Sequence, residues 1–211
     1  MAHRDSVLQK ARFITFEGGE GAGKTTQIRL LADRLQAAGA GVVVTREPGG
    51  CLMAERIREL LVTGQPGDLE MRSELLLILA ARIEHIRQRI RPALARGEWV
   101  LCDRFSDSTL AYQGYGRGLE REQLEMLNQF ALDGLEPERT FLLDIDPAIG
   151  LVRAGENRQP IENRFEQEHL AFHQRVRAGF LALAAQHAAR IRVIDATLDA
   201  QQVASAIWEA M

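Results

Sequence analysis

Short apolar runs alternate along this chain with longer stretches of helical period, the pattern of a parallel sheet with crossover helices on both faces. Phe13–Glu17, Val42–Thr45, Trp99–Cys102, Thr140–Ile145 and Ile191–Ile194 read as strands. Between the first two, Ile28, Leu31 and Leu35 recur on one helical face and Gly39 is placed to stop the helix, completing a βαβ unit. The longest helical period runs from about Ser73 to Leu94. Its stripe of Leu76, Leu79, Ile83, Ile86, Ile90 and Leu94 is expected in the core, and Ile78, Arg82 and His85 are expected to project together beside it. On this reading His85 is a partly exposed helix residue. Leu124, Leu127 and Ala131 mark another helix, and Phe172, Val176, Phe180 and Leu183 one more. Asp146 and Pro147 fit an N-cap followed by proline at the first helical position. The polar stretch from Ala154 to Asn163 reads as a mobile loop.

The 211 residues, 46% apolar and 26% charged, suit one domain, which at this size buries about 70% of its surface without help from a metal or disulfide. A net charge of -3 gives no overall pull toward a polyanion, so nucleic acid is not an expected partner. Cys51 and Cys102, two scattered thiols, point to a reducing compartment. There is no apolar run of membrane-spanning length and no signal-peptide core, so a cytoplasmic protein without membrane contact is expected. The expected organisation is a polar extension over residues 1–12, then a domain over 13–211 with a lid at about 154–164.

Chemistry enters with Gly18, Gly19, Glu20, Gly21, Ala22, Gly23, Lys24 and Thr25, which match G-x-x-x-x-G-K-[ST], with Thr26 next. The match follows a strand and opens a helix, the context that turns the pattern into a phosphate site. Glycines let backbone N–H groups wrap the β-phosphate at the positive helix end, while Lys24 adds a mobile cation and Thr25 a hydroxyl for Mg²⁺. ATP and Mg²⁺ are the expected cofactors, and the fold class is α/β: a P-loop NTPase-type parallel five-stranded sheet with helices on both faces and a mobile lid. No basic residue fills the loop's variable positions, so charge developing on a transferred phosphoryl group must be met from elsewhere. Arg153, Arg158 and Arg164 flank or occupy the mobile segment, and a lid closing over ATP would supply them and exclude water.

Two further segments lie at carboxyl ends of expected strands, where open α/β sheets place ligands: Thr45 to Gly50 and Asp103 to Phe105. Each offers an arginine, Arg46 and Arg104, whose forked guanidinium suits a phosphate monoester. Asp103 either orients Mg²⁺-bound water, locks Arg104 or caps the next helix. Phosphoryl transfer asks for alignment and charge neutralisation, with no protein nucleophile. A GTP-driven switch would need Asn-Lys-x-Asp, yet neither Lys10 nor Lys24 follows an asparagine. His169 and His173 stand i, i+4, but Leu170 occupies the glutamate position of H-E-x-x-H and no third zinc ligand is evident.

Phe16 to Thr26, Thr45 to Gly50, Asp103-Arg104, Ala111-Tyr112-Gln113-Gly114 and Arg164-Phe165-Glu166, in this order, resemble the thymidylate kinase family of bacterial type. The resemblance implies ATP-dependent phosphorylation of dTMP to dTDP and a homodimer; a kinase for another base, such as UMP, CMP or GMP, is the alternative within the class. It further implies that Arg46 and Arg104 hold the dTMP phosphate, Arg82 reaches the thymine edge, Glu20 accepts the sugar 3′-hydroxyl and Tyr112 crowds the 2′ position. Gln113 would line the base pocket and Glu166 assist the Mg²⁺ site with Thr25 and Asp103; Lys24, Asp103, Arg104, Arg158 and Arg164 would carry the catalysis. Two departures stand out. Ile78 occupies the position where the family usually stacks a phenylalanine on thymine, and Asn163 precedes Arg164 where aspartate is common. Tyr115, where glycine is usual, is read either as an exposed loop tyrosine or as a ring that replaces part of the missing stacking.

Overall fold

The computed structural model describes residues 13–63, 65–155, 165 and 168–211. Five strands, β1 (Phe13–Glu17), β2 (Val42–Arg46), β3 (Trp99–Asp103), β4 (Arg139–Asp144) and β5 (Ile191–Asp195), form one parallel sheet in the order β2-β3-β1-β4-β5. Every residue of β1 is buried, as a central strand covered on both faces requires. Ile14, Phe16, Leu101, Phe141 and Leu143 pack on one face against Ile28, Leu31 and Leu35 of α1 (Lys24–Ala37) and against Val203 and Ile207 of α9 (Ala200–Glu209). On the other face Phe13, Val100, Cys102 and Phe105 meet Ile86 and Ile90.

The remaining helices are α2 (Leu52–Val62), α3 (Met71–His85), α4 (Arg91–Ala95), α5 (Ser106–Thr109), α6 (Arg121–Leu132), α7 (Pro147–Gly155) and α8 (Leu170–Gln186). α7 begins as the sequence suggests, with the Ala148 N–H donating to the Asp146 carboxylate at 2.8 Å. α2 and α9 are additional to the elements read from the sequence. α9 carries a capping box in which Asp199 receives the Gln201 and Gln202 amides at 2.9 Å, leaving its start well specified.

The long helix differs in two respects from its apolar stripe. A π-helical segment, Ile86–Ile90, separates α3 from α4. Leu79, Ile86 and Ile90 are buried as expected, but Leu76 is 58% and Ile83 38% exposed. The buried arc of α3 holds Glu74, Leu75, Ile78, Ala81, Arg82 and His85. Because three of these are polar, hydropathy alone places the centre of the face too far round the helix. His85, expected partly exposed, is wholly buried.

The sheet register lines up three strand ends. Phe16 of β1 and Arg46 of β2 both pair with Asp103 of β3. The sequences that follow these strands therefore converge where the strand order reverses about β1, the place where open α/β sheets bind ligands.

Candidate active site

The loop after β1 turns back on itself through left-handed backbone at Gly21 (φ 66) and Gly23 (φ 86), and Gly23 precedes the first residue of α1. Its backbone is pressed against α7. A Cβ on Gly21 would lie 1.9 Å from the Gly150 carbonyl oxygen, and one on Gly150 would lie 2.3 Å from that of Glu20. Glycine is thus required at both positions by close approach of two main chains.

Lys24 is buried, and its Nζ donates to the Gly18 and Gly19 carbonyls at 3.1 and 2.8 Å. Burial lowers its pKa, reinforced by Arg104 and opposed by Asp103, Glu20 and Glu17. Thr25 donates its hydroxyl to the Asp103 carboxylate at 3.1 Å. Neither capping nor a hydrogen bond to Arg104 occupies the Asp103 carboxylate. Phe105, not Asp103, is the N-cap of α5, and the carboxylate hydrogen-bonded to Arg104 is that of Glu20.

Arg104 adopts left-handed backbone (φ 65). Its guanidinium donates to the Gly18 carbonyl at 2.9 Å, the Ser108 hydroxyl at 3.3 Å and Glu20 Oε1 at 2.7 Å. The Tyr112 hydroxyl donates to the same Glu20 oxygen at 2.8 Å. Burial alone would raise the Glu20 pKa, but Arg104 and Lys24 outweigh it and hold it down to about 2. Burial pushes the Tyr112 phenol up, with the Glu20 charge acting in the same direction.

The turn that carries Arg104 is held from below by Glu17, a residue the sequence reading passed over. Glu17 Oε1 receives the Phe105 and Ser108 amides at 2.8 and 3.2 Å, and Oε2 receives the Ser108 hydroxyl at 2.5 Å. Burial, followed by the neighbouring Asp107 charge, raises its pKa to about 7. Asp107 is in turn gripped bidentately by Arg190 at 2.7 and 2.8 Å, so that α5 is tied to the segment leading into β5.

Two cavities meet at Arg104. The wider, about 1240 Å³, runs from Gly21, Lys24, Thr25 and Thr26 past Arg46, Asp103 and Arg153. The other, about 160 Å³, is walled by Val62, Ile78, Phe105, Tyr112 and Phe165, with Arg82 and Gln113 as polar groups. Glu20, Glu47, Arg58 and Arg104 line both.

Arg46 lies in the wider cavity, with its Nη2 donating to Glu55 at 3.0 Å. Arg58 sits between the cavities and donates to the Pro48 carbonyl at 3.1 Å. It escaped the sequence reading because α2 did. Among the sequence-derived site residues, Arg158, Arg164 and Glu166 lie outside the described residues, as do residues 1–12 and positions 156–164 of the lid.

Arg82 is almost wholly buried, and its environment is built with care for its donors. Nε donates to Glu47 at 2.7 Å, Nη1 to Asn128 Oδ1 at 2.6 Å, and Nη2 to the Phe105 carbonyl and the Thr109 hydroxyl at 3.1 and 2.9 Å. The second Glu47 oxygen lies 3.0 Å from His85 Nδ1, and His85 Nε2 lies 2.6 Å from the Thr45 hydroxyl. Although Glu47 is buried, Arg82 and His85 keep its pKa below the ordinary value.

The π-helical stretch Leu110–Gly116 brings the consecutive residues Tyr112 and Gln113 onto the cavity. Tyr115 does not take part. Its ring packs on Gly179 of α8, where an added Cβ would meet it at 2.6 Å, outside the cavity wall. The aromatic rings that line the cavity with Tyr112 are Phe105 and Phe165, the latter edge-on to Tyr112 at 6.0 Å. Phe165 stands in the Arg164-Phe165-Glu166 motif, so the sequence contained the signal but not the direction of the side chain.

A strand-loop-helix phosphate cradle, opening past two arginines onto a smaller half-apolar cavity, defines a P-loop nucleoside monophosphate kinase. Residues 16–207 match the family model of thymidylate kinase. The thymidylate kinase of Magnetococcus marinus is 60% identical over 199 residues, covering 94% of each chain. That of Solidesulfovibrio magneticus is 51% identical over 93% of this chain and 96% of its own. The crystal structure of thymidylate kinase from Ehrlichia chaffeensis superposes with a TM-score of 0.78 at 36% identity, covering 95% of this chain and 98% of that one. This chain belongs to the thymidylate kinase family.

Proposed function

We propose that the protein transfers the γ-phosphoryl group of ATP to dTMP, giving dTDP and ADP. The observation that carries this reading is the position of Arg104, which lines both cavities and is anchored through Glu20 to the phosphate-binding loop. Amides of Gly18 to Thr25 hold the donor phosphates at the α1 N-terminus, with Lys24 moving from the loop carbonyls to the incoming anion. Arg104 would receive the acceptor phosphate, helped by Arg46 from the wider cavity and by Arg58, which lines both cavities. An acceptor phosphate oxygen then attacks in line, and the arginines neutralise charge that would otherwise hold the two anions apart.

Thr25 and Asp103 offer a hydroxyl and a carboxylate side by side, a hard-oxygen donor set that fits Mg²⁺ together with phosphate oxygens and water. Bound there, the ion supplies charge neutralisation between donor oxygens. The sugar would rest against Tyr112, and the base would enter between Ile78, Phe105 and Phe165 to meet Arg82 and Gln113. Leu76 and Ile83 of α3 and Met126 (64% exposed) and Phe130 (77%) of α6 are exposed apolar side chains on two helices in mutual contact, and a homodimer would bury them. Among the described residues no helix is long and apolar enough to cross a membrane, and a cytoplasmic site of action is proposed on the thiol content and the substrate.

Incubation with ATP-Mg²⁺ and each of dTMP, dUMP, UMP, CMP, AMP and GMP, read by ADP release, tests the assignment. The expected order is dTMP first, dUMP weaker and ribonucleotides poor. GMP or CMP as best substrate would remove the base assignment, and ADP release indifferent to every monophosphate would remove the kinase reading.

A further inference from the structure

A buried ionic cluster lies behind the base cavity and takes no part in phosphate chemistry. Glu74, in the first turn of α3, is 1% exposed. Its Oε1 receives the Gln113 amide nitrogen at 3.0 Å, and its two oxygens receive Arg117 Nε and Nη2 at 3.3 Å each. Arg117 donates its remaining nitrogen to Glu168 and lies 4.9 Å above the Phe172 ring. Desolvating a carboxylate is costly even when it is paired, and packing alone gives no reason for one here.

We propose that Glu74 and Arg117 are positioning residues that fix which end of the Gln113 amide faces the base, and thereby which pyrimidine edge the cavity accepts. A carboxylate held by a guanidinium can only accept hydrogen bonds, so it admits the NH₂ end of the amide and repels the carbonyl end. The usual ambiguity of a glutamine side chain is removed by chemistry. The Gln113 carbonyl is left for the cavity that the residue lines. Arg82 complements it: four of its five N–H groups are spent on described residues, and one on Nη1 remains for a ligand.

Acceptor beside donor fits the N3–H and O4 of thymine or uracil. Cytosine presents a lone pair at N3 and an NH₂ at C4, so both contacts are reversed. Discrimination of this kind is strong because buried polar groups are left unpaired by the wrong ligand. The inference rests on the proposed function, since it concerns how that same cavity reads a pyrimidine nucleotide.

Glu74→Gln conserves volume but can present either a donor or an acceptor, which lets Gln113 turn over. Expected is an approximately tenfold rise in KM for dTMP with kcat retained, and a loss of about tenfold or more in the preference for dTMP over dCMP. The double exchange Glu74→Gln with Gln113→Glu returns an acceptor oxygen to the cavity and should restore the preference. A folded Glu74→Gln enzyme with the wild-type ratio would overturn the proposal, as would a double exchange no more selective than the single variant. Calorimetric titration with thymidine and deoxycytidine reads the same discrimination without turnover. Wild-type protein inactive on dTMP would thus defeat the proposed function while the nucleoside titrations still judged the amide.

Discussion

Replacing Glu17 with glutamine isolates the cost of the carboxylate beneath the Arg104 turn. Burial and the Asp107 charge raise its pKa from 4.5 to about 7 in the folded protein. Between those values the folded chain binds a proton that the unfolded chain has released, so stability falls as pH rises through about 4.5 to 7 and levels off above. At about 1.4 kcal/mol per pH unit, this difference amounts to roughly 3 kcal/mol at pH 8. Glutamine reproduces the protonated acid: its carbonyl can accept from the Phe105 and Ser108 amides, and its NH₂ can donate to the Ser108 hydroxyl. Urea unfolding of wild type and Glu17→Gln at pH 4.5, 6 and 8 should therefore give similar stabilities at the lowest pH and a gap favouring the variant by up to about 3 kcal/mol at the highest. Below pH 4.5 both proteins should weaken together, because Glu20, held at about 2 when folded, contributes stability that is lost on protonation. Parallel stability profiles from pH 4.5 to 8 would refute the account of Glu17.

Four other outcomes are expected. Lys24→Ala should lower kcat by roughly 10³ while leaving the circular dichroism spectrum and melting temperature close to wild type, because the lysine contributes charge to the loop and little to the core. Arg82→Met strands the Glu47 carboxylate in the interior and should cost about 3–5 kcal/mol in a denaturant titration. Phe130→Glu places a charge on the exposed face of α6 and should convert a dimer to a monomer in light scattering; an unchanged mass would exclude that face as the interface. Gly150→Ala forces a Cβ to within 2.3 Å of the Glu20 carbonyl, so about 1–3 kcal/mol of stability should be lost together with ATP affinity, measured by melting with and without nucleotide.

All five strands and the phosphate loop were legible because their signals are local: short apolar runs, and glycines spaced between a strand and a helix. β1 was read at its observed limits and the other four to within a residue or two at either end. The acceptor side was legible only in part. Ile78, Arg82, Tyr112 and Gln113 do line one cavity, but the direction of α3 was misjudged, since Glu74, Arg82 and His85 occupy buried positions that a hydropathy pattern assigns to solvent. The π-helical turn at 110–116 breaks the 3.6 period, which hid that Tyr115 faces α8 while Tyr112 and Gln113 line the cavity. Glu17 and Glu74 were missed for a shared reason. Each acts by holding another side chain or turn across more than thirty residues of sequence, and no spacing rule records such partnerships.

The main-chain meeting of Gly21 and Gly150 leaves no compliant layer between the donor loop and the first turns of α7. Side chains ordinarily absorb small shifts by changing rotamer, and here none is available. Tilting α7 must therefore drag the cradle, and ordering the cradle must restrain α7, whatever residues occupy the rest of that helix. Drift along the outer turns of α7 can be tolerated while these two positions admit a single amino acid.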